Sequence, residues 1–461
     1  MSWKNVKLGK VITQRKEFIT IDDSVEYKRC RVQVNRKGIV LRDVVKGIEI
    51  NTKKQQLCKE GDFLVAEIDA KVGGYGFVGK DLEGAIVSSH YFLFEVDENK
   101  LLRSYFAWLI KTDIIQDQIA SKGSTNYAAI RPQHVLDFEI PLPSVEEQEE
   151  IVNRLNAFNA EYFLLDKELN QQQTYLQLLR QTILQEAVQG KLTKQDPTDE
   201  PATALLQRIK AEKERLIKEG KLKKEKELPP ITENEIPFDL PEGWVWCRLG
   251  ELIKLMDAGW SPACIETPAS TDKWGVLKTT SVQQMEYLEN ENKQLPEKLS
   301  PKEHYEVKVG DILFTRAGPF NRVGICCLVE NTRDKLMISD KIIRFHLYEK
   351  HISSKHITLC LNTGASKAYL ESKKSGMALS QVNISQDNLK LTPIPLPPNA
   401  EQHRIVAKVQ QLQQHLNQLE AQVQQSRQYA QGLLQSVLQE AFNKGKVYAM
   451  NESAISMVAE E

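Results

Sequence analysis

Two stretches of the chain carry one pattern of apolar positions. In the first, Ile151, Leu155, Phe158, Tyr162, Leu165, Leu169, Leu176, Leu179 and Ile183 advance by fours, threes and one full seven. In the second, Ile405, Val409, Leu412, Leu416, Leu419, Val423, Ala430, Leu433 and Val437 repeat those steps at a constant offset of 254. A polar residue stands at the same seam position of each copy, Gln172 and Ser426. A repeat of this period predicts two long helices with a coiled-coil seam, at 144–190 and 398–446, that pair with each other. An antiparallel pair matched end to end sets Gln172 near Leu416 and Ser426 near Tyr162, whose hydroxyl would meet the serine. A parallel pair would stack Gln172 on Ser426. Ser144 and Glu147 have the spacing of a capping box, Asn399 suits an N-cap, and Gly190 and Gly445 suit the residue after a helix.

Upstream of each helix the pattern changes to short β-rich runs, and these recur too. WKNVKLG at Trp3–Gly9 answers WVWCRLG at Trp244–Gly250. Gly61-Asp62-Phe63-Leu64 answers Gly310-Asp311-Ile312-Leu313, and Ile86-Val87-Ser88 answers Met337-Ile338-Ser339. Ile-Pro-Leu-Pro starts at Ile140 and again at Ile394. Offsets drift from 241 to 254, as loop insertions between equivalent domains would produce. Each domain also predicts one helix near its end, in RSYFAWLIKTDIIQDQIA and HITLCLNTGASKAYLESKK. The fold class is α+β, with largely antiparallel sheets in two pseudo-repeated domains, 1–143 and 241–397, and two long antiparallel helices. Residues 191–240 form a linker with a charged helix, carrying nine cations and five anions between Arg208 and Glu227, and 447–461 is a tail.

The 461 residues are 41% hydrophobic and 27% charged, within the soluble globular range. No apolar run approaches the ~20 residues of a membrane span. Seven cysteines without a CxxC pair read as buried thiols of a cytoplasmic protein. A net charge of −1 requires that any nucleic-acid surface be built from clustered cations.

Catalytic motifs fail on context. Gly74–Lys80 fits GxxxxGK, but Asp81 replaces the magnesium-binding hydroxyl, and a turn and strand follow in place of a helix. Asp62, Asp69 and Lys71 could suggest nuclease carboxylates, yet the second domain has Thr315-Arg316 in that region. His346, His351 and His356 lack ligand spacing and read as scattered surface histidines; no metal site is expected. What does recur is a polar, glycine-containing loop after the Gly-Asp strand. It carries Lys71 and Tyr75 in one domain and Arg316, Asn321 and Arg322 in the other. A second recurring loop carries Lys122, Ser124, Thr125, Asn126, Tyr127 and Arg131, answered by Lys373, Lys374, Ser380 and Gln381. Ser88, Ser89 and His90 answer Ser339, Asp340 and Lys341, and Thr279 and Ser281 complete the candidates. Arg and Asn read base edges, while hydroxyls and cations suit phosphates, so these residues predict contacts to double-stranded DNA.

The two Ile-Pro-Leu-Pro…Glu-Gln…Ile-Val junctions (140–152 and 394–406) and the Leu-Gln-Glu-Ala helix ends (184–187 and 438–441) carry a family resemblance. So do Leu240-Pro-Glu-Gly-Trp244 and the paired Gly-Asp strands. The chain resembles the specificity subunit of type I restriction–modification enzymes over nearly its whole length. The resemblance implies that each domain recognises half of a split DNA site and that the antiparallel helices hold the domains apart. It implies that the helices dock two methylase subunits, and that two restriction subunits complete the complex. S-adenosylmethionine, ATP and magnesium would belong to those partners, leaving this chain non-catalytic and without cofactor. The basic segment after the first helix alone departs from the simplest family pattern. About 42 helical residues span ~63 Å, equal to ~18 base pairs as the outer limit of a ruler. The competing classes are a coiled-coil scaffold with two protein-binding domains and a self-contained methylase or nuclease; the missing motifs argue against the latter.

Overall fold

The computed structural model describes residues 3–121, 129–224, 226–348 and 352–442. The chain divides into one unit of residues 1–171 and 423–461 and another of residues 172–422. Each unit therefore contains one globular domain and a segment of each long helix.

In the first unit, strand Asn5–Lys7 pairs antiparallel with Glu139–Pro141, joining the start of the domain to its end. A four-stranded antiparallel sheet runs in the order Ile12–Arg15, Tyr91–Val96, Phe63–Ala66, Tyr75–Phe77. Phe63–Ala66 is buried along its whole length. Phe63 and Val65 enter a core with helices Arg103–Leu109 and Asp113–Ser121. Leu64 enters a second core with Cys30, Val32 and Leu93. Burial on both faces explains why this strand is a continuous apolar run. A five-stranded sheet adds Glu26–Gln33, Gly38–Lys46 and three shorter strands, with Ile86–Val87 parallel to Glu26–Gln33.

The second unit repeats this plan. Val245–Arg248 pairs antiparallel with Pro393–Leu396. The four-stranded sheet runs Ile253–Ala258, Ile342–Leu347, Ile312–Thr315, Cys326–Leu328. Leu336–Met337 lies parallel to Gly275–Leu277, as Ile86–Val87 does to its neighbour in the first unit. The sequence-level offsets thus align residues at equivalent places in two sheets. One expectation changes: each stretch read as a single helix is two. Thr112 separates Arg103–Leu109 from Asp113–Ser121, and Gly364, at φ +62°, opens Gly364–Ser372 after Ser354–Asn362.

The Gly-Asp pairs prove to be buried turn anchors. Gly61 and Gly310 adopt φ +82° and +96°, a conformation that costs glycine little. Asp62 then accepts the Lys59 amide at 2.7 Å and Arg15 Nε at 3.1 Å. Asp311 accepts the Lys308 amide at 2.9 Å and lies 2.5 Å from His346 Nε2 and 3.5 Å from Arg344. These partners give Asp62 a structural place apart from any nuclease constellation.

Each long helix opens on a buried glutamine. Gln148 accepts the Leu102 amide at 2.8 Å and donates to the carbonyls of Lys100 (2.9 Å) and Pro143 (3.1 Å). Gln402 accepts the Ser353 amide at 2.8 Å and donates to the Pro397 carbonyl at 3.0 Å. The first helix, Val145–Val188, starts on the Ser144–Glu147 capping box, closed at 2.9 and 3.3 Å. It ends where Gly190 turns to φ +70° and the Lys191 amide returns to the Glu186 carbonyl, a Schellman closure. The second helix is described over Asn399–Phe442, so Asn399 is its first residue and the N-cap falls one position earlier. The end expected near Gly445 lies outside the described residues.

Within each unit the helix segments run antiparallel. In the first, Leu438 and Phe442 share a core with Ile151, Val152 and Leu155, and the Phe442 ring meets Tyr105 at 5.2 Å. In the second, Ile405 and Val409 share a core with Ile183, Ala187 and Val188. The register differs from the end-to-end match. Arg427 donates to Asn170 at 2.9 Å and Arg180 to Asn417 at 2.8 Å. The first of these bonds sets Ser426 well past Tyr162, toward Asn170. Gln172 and Ser426 are both exposed, and the polar partners are Gln173 and Glu420, at 2.8 Å. Leu179, Leu419 and Leu433 are also about half exposed, outside the seam. A straight helix drifts ~20° per heptad from a strict 3.5 repeat. At the domain end Phe442 is buried beyond the last matched position, against Tyr105.

Helix Ala202–Lys218 is no loose linker. Its Ala202, Leu205 and Ile209, spaced three and four apart, are buried in the second unit's core. Downstream, Arg248 grips Glu235 with two 2.8 Å bonds and donates to the carbonyls of Pro229, Pro230 and Leu391. The guanidinium holds the Glu235 carboxyl down at about 2 against an ordinary 4.5.

Gln148→Ala is expected to cost about 3 kcal/mol, because it leaves a buried amide and carbonyls unpaired. Thermal unfolding checks this, and a drop in Tm of under a degree would contradict the clamp. Glu235→Gln is expected to flatten the acid limb of stability. The wild-type bond is fully present above pH 4.5 and is lost as pH falls toward 2, since the unfolded state binds the proton first. Denaturant titrations across that range would show equal slopes if the pair contributes nothing.

Candidate nucleic-acid interface

In the first unit three loops meet at Glu67. Its amide donates to the His90 carbonyl and its carbonyl accepts the Ile130 amide, both at 2.9 Å. Its carboxylate then holds His90 Nδ1 at 2.6 Å and Arg131 Nη1 at 3.1 Å. Both side chains remain about two-thirds exposed or more. Ser89 is exposed beside His90, and Ser88 is half-buried. Lys71 lies half-buried on the turn Asp69–Val72, whose carbonyl at Lys71 accepts Gln116. The candidates Lys122, Ser124, Thr125, Asn126 and Tyr127 lie outside the described residues.

Tyr75 is corrected. It is 1% exposed, donates to Gln116 Oε1 at 3.2 Å, and burial pushes its phenol up to about 12. It is a core side chain and cannot stack on a base from that position. The glycines of its loop serve a neighbour in the chain. The tip of hairpin 26–46, where Asn35 and Arg36 take φ +57° and +59°, docks there. The Asn35 and Arg36 amides donate to Val72 and Gly73, and a Cβ at Gly73 would fall 2.7 Å from Arg36 N. That hairpin was missed as an element. Its signal is the alternation of RCRVQV with GIVLR around Asn35-Arg36-Lys37. It exposes Lys28, Arg31 and Arg42.

In the second unit the candidates gather around the strand Gln381–Asn383. The Arg316 amide donates to the Lys341 carbonyl (2.9 Å) and its carbonyl accepts the Ile384 amide (2.8 Å). Lys341, Asn321, Ser380 and Gln381 are exposed, Arg316 is half-buried, and Lys373 stands over the Tyr369 ring at 4.9 Å. Four candidates are structural instead. Arg322 donates to Gln283 Oε1 and to the carbonyls of Thr279 and Val282, locking the turn Phe320–Arg322. Lys374 has only 4% of its side chain exposed, pairs with Glu371 at 2.6 Å and donates to the Phe320 carbonyl at 2.9 Å. Ser281 is buried on the Lys278 carbonyl, and Ser339 is buried. Asp340 is exposed and accepts a hydrogen bond from Ser261, and Thr279 is half-buried. Each of the four was chosen for its residue type; Arg322, Lys374 and Ser281 donate to backbone carbonyls of their own unit, and Ser339 is removed from the surface by burial.

Among the described residues no group of three His, Cys, Asp or Glu gathers as a metal site would require. His356 is not a surface histidine: it is fully buried, and burial holds its pKa down at about 4. His346 bonds Asp311, and His351 lies outside the described residues. No helix among the described residues is long and apolar enough to cross a membrane.

Three kinds of likeness bear on this geometry. The chain is 56% identical over 266 residues to the EcoEI type I restriction enzyme specificity subunit of Escherichia coli, covering 58% of this chain and 45% of that one. It is 33% identical to the EcoAI specificity subunit over 58% and 44% of the two chains. The aligned part thus spans about half the length of these relatives. The EcoDI specificity subunit is 23% identical over 96% of this chain and 88% of its own. A chain of a type I R-M system, solved in a study of its complex assembly and conformational transition, superimposes with a TM-score of 0.65 over 96% of this chain and 97% of that one, at 21% identity. The HsdS subunit from Thermoanaerobacter tengcongensis does so at 0.55, over 96% of each chain and also at 21% identity, which shows a common fold. The sequence profile of the type I restriction modification DNA specificity domain matches residues 2–173 and 241–426, one globular domain and the first part of its long helix in each match. The chain belongs to the family of type I restriction–modification DNA specificity proteins.

Proposed function

We propose that this chain is the DNA-reading subunit of a type I restriction–modification complex. Each globular unit reads one half of a split site in double-stranded DNA. The observation that carries the reading is the recurrence of polar and cationic side chains at one end of two equivalent sheets, with His90, Arg131, Asn321 and Lys341 exposed and Lys71 and Arg316 half-buried beside them. Phosphate contacts position a protein on DNA, and base-edge contacts specify the sequence.

The long helices set the distance between half-sites and carry two methylase subunits. Their exposed apolar side chains support docking. Phe163, Leu164 and Tyr429 lie on the helix segments of the first unit, and Tyr175, Leu178 and Leu179 on those of the second. Large apolar groups on solvent-facing helix surfaces mark protein contacts. The chain itself performs no chemistry. S-adenosylmethionine serves the methylases, and ATP and magnesium serve the two restriction subunits of the complete assembly in the cytoplasm. The scaffold alternative has no comparable support from the polar loops.

Co-expression of the chain with its methylase, followed by a genome-wide map of methylated adenines, is expected to give one bipartite motif with an unread spacer. Absence of any motif dependent on this chain would sink the reading. Inserting four residues into one long helix is expected to change the spacer length and leave both half-sites intact; an unchanged spacer would remove the ruler. Arg131→Ala, in the methylase complex, is expected to lower the slope of log affinity against log salt by about one for a phosphate contact. A slope equal to wild type would take Arg131 out of the interface.

A further inference from the structure

The polar loops leave an apolar projection of the second unit unused. Strand Ser375–Ala378 is exposed along its whole length and lies at the edge of a three-stranded sheet beyond Gln381–Asn383 and Ala317–Gly318. Met377 is 107% exposed and Leu379 is 76% exposed. A soluble domain gains nothing in isolation from holding two such side chains in water.

The projection is built and held. The pairing slips between Ser375 and Ala378, a bulge of the kind that re-aims side chains. A Cβ at Gly376 would fall 2.3 Å from the Gln381 carbonyl, so the backbones approach as only glycine permits. The Phe320 amide donates to the Leu379 carbonyl at 2.8 Å, and the Lys374 ammonium stands 4.3 Å from the Phe320 ring. Thus the turn Phe320–Arg322, itself locked by Arg322, props the tip from below.

What surrounds the tip decides its partner. Ser375, Ser380 and Gln381 flank Met377 and Leu379, and the neighbouring strand ends carry Arg316 and Lys341. Two apolar side chains, with the partly exposed Phe320 ring at their base, rise from a polar, cationic rim. Duplex DNA has the complementary build, with anionic edges and an apolar stack of bases between them. Side chains such as Met and Leu enter base steps as wedges and partly unstack them.

We propose that Met377 and Leu379 form a wedge that enters one base step of the half-site read by the second unit. Recognition there then depends on how easily that step unstacks, in addition to its base edges. The first-unit counterpart in sequence, Lys122-Gly-Ser-Thr-Asn126-Tyr127, carries neither Met nor Leu. The inference rests on the proposed function.

The test uses the chain in complex with its methylase and duplexes of the mapped site. 2-Aminopurine or pyrrolocytosine is placed in turn at each step, avoiding the target adenines. The expected result is a fluorescence rise at one step of the second half-site, lost in the double variant Met377→Ser/Leu379→Ser. That variant should bind the site roughly tenfold more weakly, with an unchanged melting temperature because both side chains are exposed. If the wild-type complex shows no preference for its mapped site over scrambled DNA, the proposed function fails and the wedge with it. If preference is present but no probe in that half-site brightens, or the rise survives in the variant, the wedge alone fails. A variant that no longer assembles with the methylase would show that the tip docks protein, which also overturns the wedge.

Discussion

A buried glutamine at the start of each long helix holds this architecture together. Gln148 and Gln402 are inaccessible to solvent, and their amides bond main-chain groups on both sides of the proline junction. A side-chain amide can donate and accept at once, which a hydrophobic residue cannot. Each clamp ties the first turn of a helix to the loop before a domain helix. The direction in which the helix leaves its domain is therefore set by hydrogen-bond geometry as well as by packing. Without those bonds the Ile-Pro-Leu-Pro strand and the helix could swivel about the prolines.

The same economy recurs at the Gly-Asp turns. A glycine supplies the positive φ, and the following aspartate spends its carboxylate on the turn's own amide and on an arginine. The two units reach this end differently. Arg15 comes from an outer strand of its sheet, whereas Arg344 comes from an inner one and brings His346 beside it. The carboxylate has been retained as an anchor while the cation that neutralises it has moved. Duplicated domains can keep a backbone turn and still vary the faces around it, which is what two independent DNA readers would need.

The asymmetries between the units are as informative as the repeat. The first unit has the basic hairpin 26–46, docked through backbone bonds onto the loop that sequence had assigned to a ligand. The second has the helix Ala202–Lys218 and the apolar hairpin tip. Each insertion is secured to its unit by buried or backbone contacts, so each is a defined surface. Under the proposed function, equivalent sheets with different attachments would present different chemistry to the two halves of a site.

Much was legible in the chain alone. The 254-residue offset, the capping box, the Gly190 stop and the paired strands depend on local periodicity and turn chemistry, and they survive in the structure. So does the choice of long-helix core residues such as Leu155, Leu169, Ile183 and Leu416. Tertiary structure alone decided the register of the helices, because a regular seam offers several near-equal matches. It also decided which polar residues are surface. Arg322, Lys374 and Tyr75 have the composition of ligand-binding groups but are consumed by their own fold. Side-chain type determines what a residue can bond; only the folded backbone determines whether the protein has already taken that bond.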